Sequence, residues 1–451
     1  RKFYHPSNSY IFLYGNCDMA EKLQWLDEKY LSHYDYLEID SEVQTQAPFE
    51  KMREIVKDYS ISAEESEEDN TYLSYNKSVG DTLDAKLYLA MQVLEYVLLD
   101  AVGAPVKQAL LDAGIGSEIK GGFENGVKQP IFSIIAKNAN EDQKDAFVEV
   151  IESTLKKLAD EGLDEKALRA GINYFEFRYR EADFGNYPAG LMYGLQAFDS
   201  WLYKDDSAFL KEQADKGYFE GLIKTYLLDN PHGSLVLIRP KKGLTAEQDE
   251  KLKKKLEAYK NSLSAEEKRQ IAAFTRHLKE YQSEPSPQED LAKIPLLARA
   301  DIDKKAQPFQ NELRKAGDTD VLYHDIFTNG IGYVDLVFKA GGIPVELIPY
   351  LGLLKAALGQ VDTEHYTYGE FSNELNLHTG GISCSVGSYD SVQNPKDYTA
   401  VFEVKSKALY EETPVAFAMI KEMLLTSKLH DKKRLKEILA ETKSRQQMAF
   451  Q

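Results

Sequence analysis

A chain of 451 residues with 73 acidic and 55 basic side chains carries a formal net charge of −18, and 43% of it is hydrophobic and 11% aromatic. That length admits two to four domains of about 100–200 residues each, and the apolar content builds real cores, which excludes disorder as the dominant state. The acidic balance opposes nucleic-acid binding, which needs clustered Lys and Arg to displace counterions. No stretch reaches the about 18 uninterrupted apolar residues of a bilayer span, since the richest, Leu87 to Val102, is broken by Gln92, Glu95 and Asp100. Cys17 and Cys384 lie far apart without CxxC spacing, so neither a disulfide framework nor a thiolate metal cluster is expected, and a reducing, cytoplasmic compartment fits.

The chain opens on Arg1 without an initiator Met, and Tyr10-Ile11-Phe12-Leu13-Tyr14-Gly15 has the pattern of a strand in need of partners. Such a strand pairs with distant segments or belongs to a piece cut from a longer chain. Asp18 to Tyr36 has helical spacing through Leu23, Leu26 and Leu31. Glu64, Glu65, Glu67, Glu68 and Asp69 crowd like charges into a solvated loop, which sets a boundary near residues 42–70. From Asp81 the positions Leu83, Leu87, Met91, Leu94 and Leu98 keep one helical face, with Asp81 or Thr82 as cap. Lys120 to Phe123 and Ile131 to Ile135 predict strands joined at Asn125-Gly126, a pair that supplies the positive-φ residues of a tight hairpin. Helices follow over Asp142 to Leu158 and Asp164 to Arg180.

A different segment comes next. Thr245-Ala246-Glu247-Gln248 starts a highly charged helix to Leu263, and Ser264-Ala265-Glu266-Glu267 starts a second to Tyr281, both with capping signatures. Pro285 and Pro287 end this helical hairpin. Beyond it, Tyr323 to Phe327, Asn329-Gly330 and Tyr333 to Phe338 predict a second hairpin, and Pro344 opens an apolar helix through Ile348, Leu351 and Leu354. Thr367-Tyr368-Gly369-Glu370 is a capping box, with strands at Gly381 to Gly387 and Thr399 to Lys405 and two more helices after it. The two halves superpose without gaps at one offset of 267: Leu110 falls on Leu377, Gly114 on Gly381, Ile115 on Ile382, Leu158 on Leu425, Asp164 on Asp431 and Leu168 on Leu435. A duplication explains the shared order.

The chemistry of an enzyme is harder to find. The histidines are His5, His33, His232, His277, His324, His365, His378 and His430, and no two stand three or four apart as ligands on one helical turn do. Val361-Asp362-Thr363-Glu364-His365 has the frame of an HxxEH motif with Val in place of the first ligand, and an exposed loop is the favoured reading. His378, beside Gly380-Gly381, reads as a polar cap rather than a ligand contact. Gly121-Gly122, Gly341-Gly342 and Gly380-Gly381 lack the spacing and the Lys-Ser/Thr of a phosphate loop, and neither Gly-x-Ser-x-Gly nor a Cys in a nucleophile context occurs.

Several segments together point to a family. Tyr4-His5-Pro6-Ser7-Asn8-Ser9-Tyr10 through Gly15, Asn186-Tyr187-Pro188-Ala189-Gly190-Leu191 with Ser200-Trp201-Leu202-Tyr203, Asn230-Pro231-His232, and His378-Thr379-Gly380-Gly381-Ile382-Ser383 resemble the presequence-protease branch of the insulinase (pitrilysin) zinc metallopeptidases. The resemblance covers essentially the whole chain and includes the hairpin between the halves. It implies an α+β fold of two duplicated metallohydrolase-type roll domains, each an antiparallel sheet packed by helices, joined by a charged helical hairpin. The implied division is the end of a first, catalytic domain at 1–41, a second domain at 42–243, the hairpin at 244–298 and a third domain at 299–451.

In that family the zinc site, an HxxEH helix and a more distal Glu, lies in the first domain, and the fourth domain supplies an Arg and a Tyr for substrate. No residue here matches either set, so no catalytic, metal or cofactor residue is assigned. The resemblance implies an internal piece of a zinc endopeptidase for unstructured peptides, inactive by itself and binding no zinc, whose partners are those peptides and the missing first and fourth domains, with no nucleic acid or membrane. It contributes chamber wall and hinge. A −18 wall would favour basic peptides, although a generic acidic surface explains the same charge. A catalytically inactive binding or assembly subunit built from the same domains is the alternative, and a dimerisation module resting on the hairpin is a third.

Overall fold

The computed structural model describes residues 3–200, 207–294, 296–302, 304–305, 308–394 and 396–449. Contacts divide the chain into two compact units, one of residues 1–58, 66–240 and 329–451 and one of 59–65 and 241–328. The larger unit contains two lobes, each with a core of its own.

The first lobe follows helix α1 (Met19–Lys29) and strand β1 (Arg53–Ile61). It runs through β2 (Thr71–Ser78), α2 (Ala85–Glu95), α3 (Pro105–Asp112), β3 (Glu118–Glu124), β4 (Ile131–Ala139), α4 (Lys144–Glu161), α5 (Glu165–Glu181), α6 (Ala189–Ser200), α7 (Ser207–Gln213), α8 (Tyr218–Leu222) and β5 (Gly233–Lys242). The strands form one sheet in the order β1-β5-β2-β4-β3, with β2 antiparallel to both β4 and β5. Alternation in β2 turns Leu73 and Tyr75 inward beside Phe132, Ile134, Leu235 and Leu237. Helix α4 closes over them with Phe147, Ile151 and Leu155, four residues apart on one face and fully buried. Each such side chain contributes about 1.5–3 kcal/mol on burial.

Several local expectations change here. The cap of α2 is Asp84, whose carboxylate accepts from Leu87 N at 3.1 Å. Asp81 instead accepts from Leu83 N and Thr82 donates to the Asn125 carbonyl, so Leu83 precedes the helix and stays exposed. Asn125-Gly126 is no two-residue turn: Glu124 pairs with Ile131, and neither Asn125 nor Gly126 has a positive φ. The β3–β4 loop is wider because it bonds to the segment before α2, with Val79 N on the Pro130 carbonyl at 2.7 Å and Thr82 N on that of Lys128 at 3.1 Å. Residues 9–14 form no strand; the Phe12 and Tyr14 rings lie against Gly194 and Gly190 of α6, where any Cβ would collide with them. The apolar stretch Ala85–Asp112 has the length and hydropathy of a membrane span. It is bent by a π turn at Tyr96–Asp100, and Leu87, Met91, Leu94, Leu98 and Leu110 fill the core.

The smaller unit holds α9 (Leu244–Ser262), α10 (Ala265–Ser283), α11 (Gln288–Leu291) and the two-stranded sheet of β6 (Glu312–Ala316) and β7 (Thr319–Tyr323). Ser264 caps α10 in a full capping box with Glu267. At α9 the cap is Gly243, because the Thr245 hydroxyl turns to Ser60 at 2.7 Å. Leu252, Leu256 and Tyr259 on α9 and Ile271, Phe274, Leu278 and Tyr281 on α10 are exposed.

The second lobe comprises β8 (Ile331–Lys339), α12 (Ile348–Ala357), α13 (Tyr368–His378), β9 (Ile382–Asp390), β10 (Tyr398–Leu409), α14 (Thr413–Thr426) and α15 (Lys432–Ala449). Its sheet order is β8-β10-β9, so the second expected hairpin does not form: β7 pairs with β6, and β8 with β10. Asn329 and Gly330 do adopt positive φ, at 53° and 80°. Phe402 and Val404 face Phe371, Met419, Ile420 and Met423 in the core. Thr367 and Glu370 make the predicted capping box.

Candidate functional site

No group of three His, Cys, Asp or Glu side chains among the described residues is placed to hold a metal ion. The HxxEH-like frame is a loop locked onto α14. Val361 is fully buried against Ala357 and Ile438, His365 Nδ1 lies 3.0 Å from Glu422 Oε2, and Lys428 N donates to the Asp362 carbonyl at 2.7 Å. Burial opposes the charge on Glu422, but hydrogen bonds from Thr363, His365 and Thr426 outweigh it and draw its carboxyl down to about 2. His232 Nδ1 accepts from Phe49 N at 3.3 Å. His378 ends α13 between two carboxylates, Nδ1 3.0 Å from Glu412 and Nε2 3.6 Å from Glu374. A zinc ion, which the family resemblance implies for the intact enzyme, does not fit any of these places.

What the fold does assemble is a polar contact between the two lobes, centred on α5. Asp164 caps this helix by accepting from Lys166 N and Ala167 N. One face of α5 buries Leu168 and Ile172 in its own lobe. The stripe Lys166, Asn173, Phe177 and Glu181 faces the other: Lys166 pairs with Glu374, Asn173 Nδ2 donates to the Leu377 carbonyl at 3.2 Å, and the Phe177 ring lies on Gly380. At the end of the helix Glu181, its side chain only 6% exposed, receives Lys407 Nζ at 2.5 Å and Tyr333 Oη at 2.9 Å. Burial and that carboxylate push the Tyr333 hydroxyl up to about 12.

Helix α15 adds a second line of contact. Lys107 pairs with Glu441 at 3.0 Å, Lys433 with Asp112 at 2.8 Å, and Ser444 donates to Glu118. Burial disfavours the charge on Glu118, yet Ser444, Lys120 and Lys137 together hold its carboxyl below the usual range. Nearby, burial first and the Asp100 carboxylate second push Glu95 up to about 8, with its carboxyl lying against Gly121 where a Cβ would sit.

Each lobe also turns one sheet face away from its core. On the first, Ser74 Oγ and Ser133 Oγ donate to Asn76 Oδ1 at 2.9 and 2.7 Å, and Asn76 Nδ2 donates to the Ser234 carbonyl. On the second, Glu403 accepts from Ser385 at 2.8 Å and from Tyr389, while Lys405 bridges Asp335 and Glu403. The carboxylates named on these faces are paired with Lys, so the surplus of negative charge sits elsewhere, in segments such as the acidic loop at 62–70. Sequence reasoning missed the α5 stripe. The available signal was Phe177 and three polar residues sharing one face of a helix whose opposite face is apolar.

Residues 1–175 match the family described as the peptidase M16 inactive domain, and residues 238–451 match the family of associated regions described for subfamily C of the M16 peptidases. The chain belongs to the M16 peptidase family. Protein HypA of Clostridium perfringens is 40% identical over 455 residues, covering 99% of the chain and 47% of that protein. Presequence protease 1, chloroplastic/mitochondrial, of Arabidopsis thaliana is 28% identical over 463 residues, covering 99% and 43%. The chain thus spans about half the length of the curated relatives it matches. The crystal structure of pitrilysin covers 97% of the chain and 44% of its own at 14% identity and a TM-score of 0.46. Of the segments that carried the resemblance, Tyr4 to Gly15 and His378 to Ser383 fall inside the matched residues, whereas Trp201, Leu202 and Tyr203 lie outside the described ones.

Proposed function

We propose that this chain is the non-catalytic central region of a zinc-dependent M16 endopeptidase for unstructured peptides, supplying wall and hinge to a closing chamber. The observation that carries the reading is the match of residues 1–175 to the M16 inactive domain within a chain that aligns from end to end with about half of presequence proteases. Zinc polarises a scissile carbonyl and activates water in such chemistry; the residues of this chain give no step through it, and the metal is assigned to residues outside it. The open sheet faces, lined by Ser74, Asn76, Ser133 and Ser385 with paired charges, suit a wall that tolerates many peptide sequences, because hydroxyls and amides select little by charge.

The two roll domains, at 42–243 and 299–451, are proposed to be duplicates. In support, the offset of 267 carries Ile131, which begins β4, onto Tyr398, which begins β10, and Glu165, which begins α5, onto Lys432, which begins α15. Cytoplasmic location is proposed on the two free cysteines, Cys17 and Cys384. The second reading, an inactive binding or assembly subunit, shares the same match. The native gene decides between them. An HxxEH with a more distal Glu encoded upstream of Arg1 supports the peptidase, and a native start near Arg1 rejects it.

A further inference from the structure

Neither hydrophobic core crosses between the lobes. The first is built from residues between Leu73 and Leu237, the second from Phe371 to Met423 with a small cluster of Ala357, Val361 and Ile438. What crosses is mostly polar. Four lysines, Lys166, Lys407, Lys107 and Lys433, reach the carboxylates Glu374, Glu181, Glu441 and Asp112 of the opposite lobe. Tyr368 Oη donates to Gln108 at 3.0 Å and Asn376 Nδ2 to Tyr96 Oη at 2.7 Å. The apolar part is small: the Phe177 ring on Gly380, and Gly103 against Gly369.

We propose that this contact is an electrostatic clasp, which releases the two lobes as separate rigid bodies when ionic strength rises. Parting them returns charged and hydrogen-bonding groups to water, which satisfies them, and tears no core. Interfaces of this kind permit relative motion of the bodies they join, unlike large apolar ones. Three of the four pairs are at least partly open to solvent on both sides, and Lys433 and Asp112 are half exposed or more. Salt reaches such pairs: the screening length falls from about 10 Å at 0.1 M to about 3 Å at 1 M. The clasp gives the proposed hinge a physical basis, and it is tested by distance alone, so it stands or falls separately from the peptidase reading.

The test places spin labels at Lys157→Cys on α4 and Lys421→Cys on α14, in the full chain with Cys17→Ser and Cys384→Ala, and reads their separation by double electron–electron resonance. The expected result is one short, narrow distance population at low salt and a longer, broader one at about 1 M. Lys166→Glu should give the longer population already at low salt, and adding Glu374→Lys should restore the short one. The swap also shows that the single variant was folded. A separation that ignores salt and Lys166→Glu overturns the clasp, and so does a lengthening that the swap does not reverse.

Discussion

Lys407 Nζ lies 2.5 Å from Glu181 Oε2, joining β10 of one lobe to the last turn of α5 in the other around a carboxylate that is almost fully enclosed. Removing one partner of such a pair leaves a buried charge uncompensated, at a cost of about 3–5 kcal/mol when nothing else holds it. Tyr333 still donates to Glu181, which moderates the loss. Lys407→Met is therefore expected to lower stability in chemical denaturation by about 1–3 kcal/mol, and Glu181→Gln in the same chain should recover much of it. Equal losses in the single and double variants would show that the two residues are not coupled.

Gly380 has no room for a side chain, since a Cβ there runs into the Phe177 ring and the Lys407 stem. Gly380→Ala should destabilise by about 1–3 kcal/mol through overpacking. Gly341→Ala, in open space, should change little. Thermal midpoints of the two variants provide the comparison.

The loop at 361–366 depends on an ionised Glu422. Its carboxyl titrates at about 2 in the folded chain against an ordinary 4.5, so its contribution is complete above about pH 4.5 and disappears as pH falls toward about 2. Glu422→Gln should be less stable than the parent at pH 6, and the gap should narrow steadily in urea titrations taken down to pH 3. A gap that stays constant across that range contradicts the assignment.

Glu95 has the opposite sign. With its folded pKa raised to about 8, the folded state keeps a proton that the unfolded chain releases near 4.5, so stability declines between about pH 4.5 and 8. The slope is at most about 1.4 kcal/mol per pH unit. Glu95→Gln should flatten that decline and be the more stable protein at pH 9. Parallel pH profiles for parent and variant would place the titration elsewhere.

The elements that could be read from sequence are those whose signals are local. Asp164 ahead of α5, Ser264 with Glu267 and Thr367 with Glu370 cap as expected because their partners are three residues or fewer away. Asn125-Gly126 misled because its loop is held by Val79 and Thr82, more than forty positions back. Strand β2 gave little warning with Asn76 and Lys77 in it, yet Lys77 Nζ finds the Asn230 carbonyl at 2.7 Å and can be turned inward. The contact between the lobes was illegible for the same reason: Glu181 and Lys407 look like two ordinary surface charges until the fold brings them together.

The central claim is that these residues serve a peptidase without performing its chemistry. The most direct measurement is zinc content after dialysis, taken with cleavage of an unstructured fluorogenic peptide, on the purified 451-residue chain. Metal far below stoichiometric and no turnover is the predicted result. One zinc per chain with turnover that a chelator abolishes would contradict the account.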